Sequence, residues 1–183
     1  MEEIVAKVRD FADAAHGEQL RKYSGERYIV HPIRVMETCR QYDDSLPVLA
    51  AALLHDVLED TSVNEAELLE FLRNTMSEAD ARHTLQLVIE MTDVFVKKNF
   101  AHLNRRIRKH QELERIEKTS AQAQTIKYAD IIDNSGEIAS QDRHFAPRYL
   151  RECLEILKVA IKGNALLRAR AWEIVKRNLS EVE

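Results

Sequence analysis

The stretch AALLHDVLEDT, residues 51 to 61, sets one histidine and three carboxylates inside a strongly apolar run. On a helix turning about 100° per residue, His55 and Glu59 are i,i+4 neighbours, and so are Asp56 and Asp60. Four side chains able to do chemistry therefore share one arc. Leu53, Leu54, Val57 and Leu58 cover much of the remaining perimeter, the pattern of a buried element. Carboxylates taken out of water without a compensating charge are strongly destabilising or take up protons, so this stripe calls for a cation. The competing expectation is a helix that ends near Asp56 and leaves Glu59 and Asp60 as solvated loop residues.

Two other segments can complete such a site. His31 precedes Pro32 at a helix entrance, and in TIKYADIIDN, Asp130 interrupts an apolar face with Asn134 one turn further on. By itself Asp130 is equally a structural cap or an ion-pair partner. Taken together, His31, His55, Asp56 and Asp130 offer two imidazoles and two carboxylates, a mixed set that suits manganese or iron better than zinc. A metal there polarises a phosphoryl oxygen and acidifies a bound water, which points to hydrolysis. Glu59 and Asp60 are expected to orient that water and carry its proton, or else to shape the surroundings of the ion.

These residues need a helical frame. Only four glycines and three prolines interrupt the 183 residues, whose length suits one well-buried domain spanning 1–183. The composition favours helix, and an all-α protein is predicted. Spacing predicts a first helix over about 2–16, a second with Pro32 at its first position, and a third opened by Pro47 that carries the quoted stretch. Ser62 with Glu65 is expected to cap a fourth helix, Ala81–Met91 to form a fifth, and TDVFVKKNFAHLN to be irregular. RRIRKHQELERIEK reads as a charged helix, Thr119 with Gln122 as the cap of the next, Pro147 to Ile161 as another, and a last helix follows Gly163. A net charge of -4 argues against a nucleic-acid or anionic-membrane binder. The longest apolar run is far short of the roughly 20 residues that span a bilayer. With no signal-peptide pattern at the start and no CxxC pair, a cytosolic protein with reduced thiols is expected.

The pattern H…HD…D, with RKYSGERYIVHP before LLHDVLEDT, resembles the HD-domain phosphohydrolases, and within them the alarmone hydrolases, the ppGpp 3′-pyrophosphohydrolases related to the hydrolase half of the Rel/Spo enzymes. The likeness runs from about Ala14 to Asn134 and includes no synthetase region, so small stand-alone hydrolases are the nearer comparison. It implies a single-domain HD-type helical bundle in which His31, His55, Asp56 and Asp130 hold manganese and Glu59 and Asp60 activate water. It also implies that Arg21, Lys22 and Ser24 lie beside the nucleotide and Asn134 near its base and sugar. The family usually has a basic residue after the third-motif Asp and further basic or small polar residues around the Asn; here stand Ile131, Asp133, Ser135, Gly136 and Glu137. Carboxylates gained there are expected to weaken the binding of a polyanion, unless Arg105, Arg106, Arg108 and Lys109 compensate.

The expected activity is manganese-dependent release of pyrophosphate from (p)ppGpp, with iron or zinc as alternative ions and a small nucleotide as the partner. An HD nucleotidase or phosphatase acting on another nucleotide is the enzymatic alternative. A nucleotide-sensing module without turnover is a third reading, against which the presence of both Glu59 and Asp60 speaks.

Overall fold

The computed structural model describes all 183 residues. Ten helical segments follow one another: α1 Glu2–His16, α2 Val30–Arg40, α3 Leu46–Leu54, α4 Val57–Asp60, α5 Glu65–Thr75, α6 Glu78–Met91, α7 Arg105–Lys118, α8 Ala121–Gln141, α9 Ala146–Val159 and α10 Ala165–Val182. The fold is all-α, and the one β feature is an isolated antiparallel bridge between Leu20 and Arg27. No helix is long and apolar enough to cross a membrane.

α3 is the axis of the molecule. Its sequence LPVLAAALL leaves only Leu46 short of full burial, and α1, α2, α6 and α8 all pack against it. Each of Leu49, Leu53 and Leu54, fully enclosed, contributes roughly 1.5–3 kcal/mol of transfer free energy. The alanines between them let neighbouring helices approach closely. The 21-residue α8 crosses this centre and packs against α2, α9 and α10, so α2, α3 and α8 meet where the candidate ligands lie.

The continuous third helix expected from the spacing is broken. The Ala52 carbonyl, which an unbroken helix gives to the Asp56 amide, accepts His55 Nδ1 at 2.8 Å instead. His55 and Asp56 form a turn with Asp56 at φ -98°, and α4 restarts at Val57. Both halves are helical in pattern, so periodicity alone does not reveal the break.

Other boundaries shift for local reasons. α2 begins at Val30, placing Pro32 in its third position, where the missing N–H is one a helix start leaves free anyway. The α5 cap is Asn64 with Glu67, not Ser62 with Glu65; Asn64 Oδ1 accepts from the amides of Ala66 and Glu67, and Glu67 bonds back to the Asn64 amide. Ser120, not Thr119, caps α8, because the Thr119 hydroxyl is bonded to the Ile116 carbonyl. α6 starts earlier than Ala81, at Glu78, behind the Ser77 cap. α9 stops at Val159, leaving Ile161 exposed, because residues 160 to 164 turn onto α8. There Tyr128 donates to the Ala160 carbonyl at 2.7 Å, and the amides of Lys162 and Asn164 donate to Gln124 and Thr125. The 92–104 segment has no regular element, as expected.

Candidate metal centre

The break after Leu54 turns His55 and Asp56 out of the α3 ladder and toward α2 and α8. His31 lies in the first turn of α2 and Asp130 in the middle of α8. His31 Nε2 stands 3.3 Å from Asp130 Oδ1 and 3.6 Å from Asp56 Oδ2; His55 Nε2 stands 3.8 Å and 3.1 Å from the same two oxygens. The ligand atoms of His31, His55 and Asp56 all lie within 4.8 Å of one another, with Asp130 facing both rings.

Tautomers are fixed by what each other nitrogen touches. His55 Nδ1 faces a carbonyl and His31 Nδ1 faces Asp133 Oδ2 at 2.7 Å, both acceptors, so both Nδ1 atoms carry the hydrogen. The two Nε2 atoms are buried and have no hydrogen-bond partner. Unpartnered imidazole nitrogens aimed at two carboxylates form a donor set that fits a divalent cation. Without one, protons take its place. Burial opposes charging His55, yet Asp56 and Asp130 outweigh it and push its pKa up to about 10. His31 is shifted upward too: burial opposes its charge, and Asp130 with Asp133 outweigh both burial and the repulsion of His55. Burial opposes ionising Asp56 and Asp130, but the imidazoles hold both carboxyls below the usual range, with Lys127 the largest stabilising neighbour of Asp130.

Each carboxylate is oriented from behind. Tyr28, stacked on His16 at 4.4 Å between centroids, donates its hydroxyl to Asp56 Oδ2 at 2.7 Å. Burial and the nearby Asp56 charge keep that phenol protonated. Lys127 Nζ lies 3.0 Å from Asp130 Oδ2, and Asn134 Nδ2 donates to Asp130 Oδ1 at 2.6 Å.

Asp56 and Asp130 open onto a cavity of about 350 Å³ between α4, α7, α8 and α9. Glu59, Asp60 and Asp93 edge it, Ile116, Ile131 and Ile156 give it an apolar side, and Lys109 and Lys127 are its only lysines or arginines. Glu59 Oε2 accepts the Asp93 amide at 3.2 Å. Desolvation first, then the Asp93 charge, raise its pKa to about 7.

The basic loop residues stand differently. Arg21 lies behind the cavity wall rather than in it, paired with Glu137, bonded to Asn134 Oδ1 at 2.9 Å and 4.0 Å from Asp133. Lys22 is exposed and bonded to the Tyr23 hydroxyl; Ser24 is exposed, with its amide on Glu137. Among the basic residues that open α7, Arg105 forms a two-toothed pair with Glu152, and only Lys109 lines the cavity. Asp133 and Glu137 are thus not free charges, since Asp133 also pairs with Arg34 at 2.9 Å. Residues that sequence reasoning missed are Tyr28, Lys127 and Asp93, while Asp133, read there as an adverse charge, instead holds His31. Lys127 carries a visible signal, an i,i+3 pairing with Asp130; Tyr28 and Asp93 carry none beyond their place near the motifs.

The model of the HD domain family matches residues 28–135, a span that begins at Tyr28 and ends just after Asn134. The chain belongs to the HD domain family. Among relatives of this HD domain, a probable guanosine-3′,5′-bis(diphosphate) 3′-pyrophosphohydrolase of Mycoplasma pneumoniae is 30% identical over 141 residues, 74% of this chain and 18% of that protein. The Aquifex aeolicus guanosine-3′,5′-bis(diphosphate) 3′-pyrophosphohydrolase is 41% identical over 68 residues, 37% of this chain and 10% of that protein. The chain therefore spans less than a fifth of these relatives' length. Among solved structures, a metazoan ortholog of SpoT, described as hydrolysing ppGpp and acting in starvation responses, superposes with a TM-score of 0.79 at 25% identity. That match covers 95% of this chain and 94% of the other chain.

Proposed function

We propose that this chain is a metal-dependent phosphohydrolase that removes pyrophosphate from the 3′ position of (p)ppGpp, with His31, His55, Asp56 and Asp130 as ligands of a manganese ion. The observation that carries the reading is the convergence of two unpartnered Nε2 atoms on two carboxylates at a cavity edged by a carboxyl group with its pKa near 7. The activity named for the Mycoplasma relative and for the metazoan structure supports the choice of substrate.

A divalent ion bound there supplies polarisation of a phosphoryl oxygen and acidifies water. Glu59 Oε1, opposite the oxygen held by the Asp93 amide, takes a proton from the attacking water. The water oxygen bonds to the phosphorus on the 3′ oxygen, that P–O bond breaks, and Glu59 returns its proton to the leaving 3′ oxygen. Asp60 orients the water from the same edge. Asn134 uses one donor and one acceptor on Asp130 and Arg21, so its amide retains one of each for the nucleoside. Lys22 and Ser24 lie outside the wall and meet only the part of a nucleotide that protrudes. The chain acts as one domain, in the cytosol and without nucleic acid, a reading in keeping with its net charge of -4.

The carboxyl groups of Glu59, Asp60 and Asp93 along the cavity edge favour a less charged nucleotide as the second reading. Product analysis separates them. With manganese and ppGpp the protein is expected to release pyrophosphate and GDP, while orthophosphate from another nucleotide supports the alternative. Glu59→Ala and His55→Ala should both abolish turnover. A protein inert toward a whole nucleotide panel refutes the catalytic reading.

A further inference from the structure

The resemblance implies that Arg21 lies beside the nucleotide, yet every strong contact its guanidinium makes is internal. Its side chain is 9% exposed and pairs with Glu137, which is 12% exposed. The same Nη2 donates to Asn134 Oδ1 at 2.9 Å, and Asn134 Nδ2 donates to Asp130 Oδ1 at 2.6 Å. That oxygen is the one facing both imidazole Nε2 atoms. The amide has a single sensible orientation, because Arg21 can only donate and an ionised Asp130 can only accept. A flip would set N–H against N–H and oxygen against oxygen. Arg21 also lies 5.8 Å from the ring centroid of Tyr28, near the outer limit of a cation–π contact, so the route through Asn134 dominates.

We infer that Arg21 is a positioning residue of the metal centre: with Glu137 as its anchor it fixes the Asn134 amide, which fixes the oxygen of Asp130 that faces the ion. The chain of contacts ties the 17–29 loop to α8 and ends on a proposed ligand, so the inference rests on the metal site proposed above but not on the identity of the nucleotide. Glu137 is then the counter-charge that keeps the guanidinium in place, which accounts for a carboxylate near a site meant for phosphates.

The test is a manganese titration by calorimetry with no nucleotide present. Arg21→Lys keeps the charge but loses the planar fork, and cannot hold Glu137 and Asn134 together. It is expected to weaken Mn2+ binding by about tenfold, the lower end for groups that orient a ligand from behind. Asn134→Ala should do the same, and the double variant should bind no more weakly than Asn134→Ala alone, since one residue acts through the other. Glu137→Gln should weaken binding in the same direction, by less. In turnover at saturating Mn2+, KM for ppGpp should change no more in the double variant than in Asn134→Ala alone, since Arg21 acts on the nucleoside only through that amide. Additive losses in the double variant overturn the inference. So does unchanged Mn2+ affinity in Arg21→Lys with a raised KM, or a lowered KM in Glu137→Gln with Mn2+ affinity intact. A parent protein that binds no Mn2+ refutes the metal site itself, whereas a parent that binds Mn2+ but ignores ppGpp leaves this test fully readable.

Discussion

Lys127→Met is the most informative single change, because it separates the two cations that the acidic cluster can use. The ammonium lies 3.0 Å from Asp130 Oδ2 with its side chain 20% exposed. Burial opposes its charge, but Asp130 and then Asp93 outweigh burial and raise its pKa. At an effective dielectric of about 20, a pair at that distance attracts by about 5 kcal/mol before desolvation is counted. His31 and His55 still face Asp130 in the variant, so we take a net loss of about 2–3 kcal/mol, at or below the low end for breaking a buried pair. For a chain of this size that is a fall of about 4–12 °C in Tm. Methionine fills the same space, which keeps cavity formation out of the comparison. The assay is thermal unfolding followed by circular dichroism, once with chelator and once with excess Mn2+. Removing the ammonium removes its repulsion of a divalent ion, so Mn2+ should raise Tm more in the variant than in the parent and close most of the gap. A deficit of the same size with and without Mn2+ would refute the reasoning, since the ion would then not be sharing Asp130 with Lys127.

Four further outcomes are expected. Glu59, raised to about 7, is protonated and unable to accept a proton below that pH, so kcat/KM should climb through this region and level off above it. Asp93→Asn removes a charge that raises Glu59, so at equal saturating Mn2+ the acidic limb should move to lower pH; an unmoved limb rules out Glu59 as the base. Asp133→Asn leaves one carbonyl oxygen for two donors, His31 Nδ1 and Arg34 Nε, and should weaken Mn2+ binding by about 10–100-fold in calorimetry, with equal affinity refuting the role. Gly163→Ala brings a Cβ to 2.6 Å from Tyr128 Cε2 and 2.8 Å from the Thr125 amide nitrogen. Since the α8 backbone cannot yield, unfolding in urea should show a loss of about 1–3 kcal/mol with Mn2+ affinity unchanged.

The all-α class and most helices were legible because apolar spacing and sparse glycine and proline leave little choice, and His55 with Asp56 stood out because carboxylates seldom enter such a run. The break after Leu54 was not legible: it depends on a histidine ring taking a backbone carbonyl, while both flanks keep helical periodicity. The caps at Asn64 and Ser120 were missed by two and one residues because Ser62 and Thr119 offer the same hydroxyl or amide chemistry. Asp133 and Glu137 looked adverse because their partners, His31 and Arg21, lie 102 and 116 positions away. Local spacing shows a charge; only the fold shows what neutralises it.

The two imidazoles are restrained by different kinds of group. His55 leans on a main-chain oxygen of α3, which no substitution at that position deletes, whereas His31 leans on the side chain of Asp133, which a single codon can alter. Descendants of this sequence can therefore retune the donor strength of one nitrogen, and with it the choice of ion, by drift at residue 133 alone. The other nitrogen stays constant for as long as the buried helix beneath it does.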